Sequence, residues 1–285
     1  MLLIGLHLGG VHDPWNSSVV ICLIVFGIFA GALFVVNEWK IASHPVIPVQ
    51  LFSTTSSSAA YAVCFFHAFA FMGVAYYLPL YFQSVLQEGP LMSGVYLLPF
   101  IISSSIAAAF TGLYIQRTGR YMPAVYSGLA LMTLGIGLLT SLEVEANWAK
   151  LVCYQLIGGI GFGMNLEGPL LAVQAVVPTQ DVAAATAAMS FMRTISTAIS
   201  IVIGGVVFQN EMSDKMKMLT DGLGSELASM FGGSSAVANI DLIKDLPVKQ
   251  KLVARTAFFQ STRTMWIVVC IHSSLSGCTE REVLS

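Results

Sequence analysis

Apolar residues in this chain gather into long unbroken runs rather than alternating patterns. Val19–Val36 is an 18-residue apolar stretch, and no Asp, Glu, Lys or Arg occurs in the 47 positions between Lys40 and Glu88. Charge-free gaps of 28 residues (Glu88 to Arg117) and 22 residues (Arg120 to Glu143) follow. Two further runs, Leu151–Val177 and Val182–Phe208, are each interrupted by one ionisable side chain, Glu167 and Arg193. A helix needs about 20 mainly apolar residues to cross a bilayer, so the pattern predicts six complete spans. Runs this long, without period-two alternation, exclude a transmembrane barrel.

The ends break the pattern. Met1–Leu8 is too short for a span and has no basic stretch before it, so it is neither a span nor a signal peptide. Met265–Ile271 supplies seven apolar residues before a polar tail, and both ends read as partial spans. Between Glu211 and Arg263 lie 13 of the chain's 28 charged side chains. Met212, Met216 and Leu219, then Val248, Leu252 and Val253, recur at helical spacing there. This stretch predicts short amphipathic helices at the membrane surface, with too few apolar residues for a core of its own.

Composition agrees. Charged residues make up 10% of the chain, apolar ones 56%, and the net charge is −2. A soluble domain of this size would carry about 25% charge, and a nucleic-acid binder would carry a basic excess. Neither a nucleophile–base spacing nor a metal-ligand cluster nor a phosphate-binding loop occurs, so no catalytic residue, metal or cofactor is expected. The run Gly158–Gly163 lacks the register of a nucleotide loop. With Gly27–Gly31 and the Ser196, Ser200, Gly204 series, it predicts close helix packing.

Ionisable side chains inside spans mark candidate sites. His67, Glu167 and Arg193 qualify. Glu167 and Arg193 each lie 13 residues from Gln180 in the connecting turn, hence about 20 Å along their helices at matched depth. They are expected to face one another, either as an ion pair that holds the hairpin or with Glu167 as a proton-coupling carboxylate. His67 is either hydrogen-bonded to a neighbouring helix or a proton relay. Asn165, Gln155 and Gln174 either line a substrate path or join helices.

The link Gly112-Leu113-Tyr114-Ile115-Gln116-Arg117-Thr118-Gly119-Arg120 suits a helix C-cap, with guanidiniums at the negative end of the dipole. It resembles the signature loop of the major facilitator superfamily, Gly-x-Leu-x-Asp-Arg-x-Gly-Arg. Gly112, Arg117, Gly119 and Arg120 match; Tyr114 and Gln116 replace the Leu and Asp. Tyr76–Gln83, Ser93–Pro99, Tyr154–Pro169 and Phe191–Asn210 are similar to spans nine, ten, twelve and thirteen of the fourteen-span drug:proton antiporters of fungal toxin-efflux type. Gly9-Gly10 with Trp15-Asn16-Ser17 is similar to their link between spans seven and eight.

The resemblance implies an all-α, polytopic C-terminal half-bundle, beginning inside span seven and departing from the family near Cys270. The tail Ile271–Ser285 resembles a shifted reading frame or a mis-spliced end. It divides the chain into partial linker spans (1–50), a five-span bundle (51–208), a polar amphipathic loop (209–264) and a truncated last span with a divergent tail (265–285). The implied activity is proton-coupled efflux of drugs, toxins or secondary metabolites across the plasma or vacuolar membrane. Its partners would be the bilayer, protons, the small-molecule substrate, and a missing N-terminal half or second copy. The alternative is a non-transporting remnant or a regulatory subunit of a full-length transporter. An amide is usual near position 167 in the family, so the acid is a departure. The family places the Arg117–Arg120 link in the cytosol, whereas the positive-inside rule favours the opposite side for the basic 209–264 stretch.

Overall fold

The computed structural model describes residues 1–9, 13, 15–40, 55–233 and 235–283. The 50/51 division and Gly10 of the first link lie outside the described residues. Among those described, the regular structure is helical: α1 (Leu2–Leu8), α2 (Ser18–Lys40), α3 (Thr55–Ser84), α4 (Pro90–Tyr96), α5 (Leu98–Thr118), α6 (Met122–Leu139), α7 (Trp148–Met164), α8 (Gly168–Val176), α9 (Val182–Asp214), α10 (Met216–Leu223), α11 (Ser225–Met230), α12 (Ser235–Ala238) and α13 (Val248–Val283). Six stretches are long and apolar enough to span a membrane: 18–38, 57–84, 90–118, 122–139, 148–175 and 179–214. These are the six spans the sequence predicts, in an all-α polytopic bundle.

Small residues set the helix contacts. A Cβ on Gly158 would lie 3.6 Å from the Gly135 Cα, and one on Gly161 would come within 2.2 Å of the Met132 backbone, so α7 presses its glycine face on α6. Gly159 and Gly163 do the same against Phe100, Ser103 and Ser104 of α5. On the other side of the bundle, Ser196 and Ser200 of α9 donate to the carbonyls of Phe65 and Phe69 of α3, and Gly204 seats the Tyr77 ring. Contacting residue numbers rise together along this seam, so α3 and α9 run parallel. Of the Gly27–Gly31 pair, Gly27 packs on Leu2 of α1, while Gly31 faces open space.

The contacts follow an approximate internal symmetry, broken where α9 packs on α13 without a comparable contact of α5 on α6. Exchanging α3, α5 and α6 for α7–α8, α9 and α13 maps the α3–α9 contact onto α5–α7 and α3–α13 onto α6–α7. The α6–α13 and α3–α8 contacts map onto themselves. Three helices repeated with inverted direction is the arrangement of a transporter half-bundle.

Two stretches differ from expectation. The last helix is not a seven-residue stub: α13 is continuous over 36 residues, about 54 Å. It buries Ala254, Ala257, Phe258, Met265, Trp266 and Val269 against α3, α6 and α9. Its hydropathy is low because polar and charged residues are interspersed along it, and packing on three helices compensates. The polar stretch builds no core of its own, as expected, but its short helices pack into the core of the bundle. Leu219, Leu223, Ala228, Phe231, Ile240 and Ile243 are buried with Phe208 and Phe258. Each short helix contributes one or two side chains, and the ends of α9 and α13 supply the rest. The divisions at 208/209 and 264/265 accordingly fall inside α9 and α13, whose relevant ends are Asp214 and Val248.

Candidate functional site

The fifth predicted span is a broken helix. α7 ends at Met164 and α8 restarts at Gly168, with Asn165, Leu166 and Glu167 between. Pro169 causes the break: it has no N–H for the Asn165 carbonyl and disfavours helical geometry at Gly168. Around the gap the Asn165 and Leu166 amides turn back to the Phe162 and Gly163 carbonyls at 3.3 Å, as in a 3₁₀ turn.

Neighbouring helices fill this gap with polar side chains. His67 of α3, 3% exposed, donates from Nε2 to the Phe162 carbonyl at 2.9 Å. That acceptor fixes the Nε2–H tautomer and leaves Nδ1 as the ring's proton-accepting atom. Arg193 of α9 donates from Nη2 to the Leu166 carbonyl at 3.3 Å, while its Nε is buried without a partner. The Asn165 amide donates to the Gly161 carbonyl at 3.3 Å and lies against Gly128, and its Oδ1 has no partner. Glu167 is half-buried at the N-terminus of α8, where the helix dipole favours a carboxylate.

His67, Asn165, Glu167 and Arg193 therefore converge on one break, but Glu167 and Arg193 do not pair. Ion pairs among the described residues include Lys150–Glu143, Lys215–Glu211 and Lys244–Asp241, whereas the Arg193 guanidinium goes to a carbonyl. Depth along the helix is matched, as the spacing implied. The break offers the guanidinium a backbone carbonyl one residue earlier.

Gln155 lies ten residues before Asn165 on α7, about 15 Å away. It is 1% exposed, with neither amide atom partnered. Gln174 instead joins α8 to α9, its Nε2 donating to Thr186 at 3.1 Å. Neither of two cavities in the bundle is lined by Gln155, Asn165 or Gln174. A groove of about 740 Å³ between α5, α6 and α7 is walled by apolar residues such as Ile102, Phe110 and Ile160. A second, of about 550 Å³, lies between α3 and α9.

At the signature link, Gly119 takes the left-handed conformation (φ 68°) and its amide caps the Ile115 carbonyl at 2.8 Å. This is the C-cap the residue pattern predicts. Gln116, Arg117 and Arg120 are exposed, and Gly112 has no neighbour near its Cα hydrogens. Two residues escaped the sequence reading. Cys64, one turn before His67, reads in sequence as a small hydrophobe but lies beside the Arg193 guanidinium. Arg255, in the stretch that reads as a solvated loop, reaches the Val85 and Val144 carbonyls with Nε and Nη2. No sequence signal separates it from the neighbouring surface charges.

A helical membrane bundle with three-helix repeats of inverted direction and a polar centre at a broken span is the class of fold this chain forms. The chain belongs to the Major Facilitator Superfamily, whose profile matches residues 1–201. It is 46% identical over 274 residues to the MFS-type transporter ppz2 of Metarhizium majus, covering 96% of this chain and 47% of that one. It is 44% identical over 268 residues to the efflux pump dotC of Dothistroma septosporum, covering 94% and 46%. An MFS-type transporter of Aspergillus terreus is 35% identical over 282 residues, covering 97% and 50%. The chain thus spans about half the length of the curated relatives it matches, and these relatives are transporters rather than enzymes.

Proposed function

We propose that this chain forms the C-terminal half of a fourteen-span exporter that moves small amphipathic molecules outward in exchange for protons. The drug, toxin or secondary-metabolite class of substrate is supported by its likeness to a protein named as an efflux pump. The observation that carries the reading is the broken span. A half-buried carboxylate, Glu167, stands at a helix N-terminus within a few residues of carbonyls held by His67 and Arg193. Discontinuous helices of this kind place proton and substrate groups near the bilayer midplane in secondary transporters. Glu167 is the proton-coupling carboxylate, Arg193 and His67 hydrogen-bond the carbonyls beside the break, and the Arg117–Arg120 link faces the cytosol.

Alternating access requires two halves, so an N-terminal half or a second copy completes the pump in the plasma or vacuolar membrane. The four-part division stands on this reading, with its later boundaries moved to Asp214 and Val248. The test is co-expression with the first six spans of an intact relative in pump-deficient cells, reading rhodamine 6G efflux. Export is expected only with both halves present. It should collapse with a protonophore and fall at least tenfold in Glu167→Gln. Two correctly inserted halves without export would favour the regulatory-subunit or remnant reading instead.

A further inference from the structure

The groove of about 740 Å³ reaches Met164 at the end of α7, but none of the polar side chains at the break lines it. α5 and α6 both pack closely on α7 and barely on each other, so a crevice stands between them with α7 as its floor. It is open: Ile102, Ile106 and Ile160 line it and are 51%, 52% and 40% exposed. Ser103 and Ser127, also in the lining, spend their hydroxyl protons on the Phe100 and Pro123 carbonyls of their own helices. An occupant therefore meets mainly hydrocarbon along its length.

Length and charge define the occupant. Along α5 the crevice runs from Ile102 to Tyr114, about 18 Å of helix, close to half of a hydrocarbon core about 30 Å thick. Tyr114 and Pro123 mark the end that meets the link between α5 and α6. There Arg117 follows Tyr114 by three residues, and Arg120 precedes Pro123 by three, about one helical turn in each case. Both arginines are exposed, and the three helices with their α5–α6 link contain no Asp or Glu. The other charge on these helices, Lys150, lies at the start of α7 and is paired with Glu143. One end of an apolar crevice is thus cationic, with no acid on its own helices to balance it.

We propose that this crevice binds an anionic phospholipid, with one acyl chain lying over α7 between α5 and α6 and the phosphate held by Arg117 and Arg120. Guanidiniums take phosphate oxygens in pairs, and basic clusters at the ends of membrane helices gather anionic headgroups. A crevice one leaflet deep suits a chain that hangs from such a headgroup. The site needs neither transport nor a second half, so it goes beyond the exporter reading.

The test is native mass spectrometry of the full 285-residue chain in detergent, titrated with dioleoyl phosphatidylglycerol or dioleoyl phosphatidylcholine and read from the first bound lipid. The two lipids share their chains and differ in net charge. Phosphatidylglycerol should bind about tenfold more tightly, the equivalent of about 1.4 kcal/mol. Arg117→Gln combined with Arg120→Gln should abolish that preference and leave phosphatidylcholine within twofold. Lys150→Gln should leave the preference intact. Ser127→Trp, from an exposed position on the α6 wall, should fill the crevice and weaken both lipids at least fivefold. Glycerophosphoglycerol, the headgroup without its chains, should bind at least tenfold more weakly than the whole lipid. Equal binding of the two lipids to the native chain, or a preference that survives the paired arginine substitution, overturns the proposal. So does native-like binding of both lipids in Ser127→Trp, or headgroup binding as tight as that of the lipid. Binding is read without transport, so failure of the export assay would leave this result standing, and the reverse.

Discussion

At the residue scale, what matters is where each polar side chain sends its hydrogen bonds. Arg255 and Arg263 lie eight positions apart on α13 and look alike in the sequence. Arg255 ties the end of α3 to the link between α6 and α7 through two carbonyls, whereas Arg263 is exposed. Arg255→Ala is expected to destabilise the detergent-solubilised chain by about 2–3 kcal/mol, because two partly buried carbonyls lose a charged donor. Arg263→Ala should stay within about 0.5 kcal/mol. Paired thermal unfolding curves check this, and equal losses would remove Arg255 from its clamping role. His67 has the same logic: its hydrogen bond to Phe162 stands in where the helix's own ladder fails. Such choices were not legible in the sequence, which gave the depth of Glu167 and Arg193 but not their rotation about the helix axis. A single carbonyl, that of Leu166, outcompeted the expected carboxylate.

At the element scale, the glycine spacing was legible because close packing demands it. Gly159, Gly161 and Gly163 meet α5 and α6 with no room for a side chain: a Cβ on Gly159 would lie 2.0 Å from Ser103 Oγ and 2.6 Å from the Phe100 carbonyl. Gly159→Ala should therefore force α5 and α7 apart and cost more than about 2 kcal/mol. Gly31→Ala meets nothing and should be neutral or slightly stabilising, since alanine is the better helix former. Comparable losses at both positions would contradict this packing. The break between α7 and α8 belongs to the same scale. Pro169→Ala restores a donor for the Asn165 carbonyl, so amides 165–168 are expected to exchange more slowly with deuterium. Unchanged exchange would mean that the surrounding side chains, not the proline, hold the break open. The proline was visible in the sequence; the convergence on the gap was not, because His67 stands 95 residues from Phe162 along the chain and the rotation of each helix is not written in its spacing.

At the scale of the whole molecule, the inverted repeat pairs α5 with α9, and these two, together with α2, are the least buried of the candidate spans. On the half-transporter reading, α5 and α9 are the faces left for the second half. A cysteine replacing Phe110 of α5, 68% exposed, should crosslink to a co-expressed N-terminal half. A cysteine replacing Leu134 of α6, also exposed, should face lipid and crosslink far less. The reverse ranking would place the partner on the α6 side. The folded cap is also a property of the whole. Its short helices hold few apolar residues each, and they become a core only on the ends of α9 and α13.

The sequence by itself determined that this is a six-span helical membrane protein with a capped signature link. Span length, charge-free distance and a left-handed glycine are local constraints, and local constraints are written in consecutive residues. Tertiary structure alone decided that α13 is a full packed helix, that Glu167 and Arg193 part company, and that Ile106 and Pro123 line a shared groove. Each of these depends on helix rotation and on neighbours distant in the chain. Run lengths fix how many helices cross a membrane, but only packing fixes which way each helix turns.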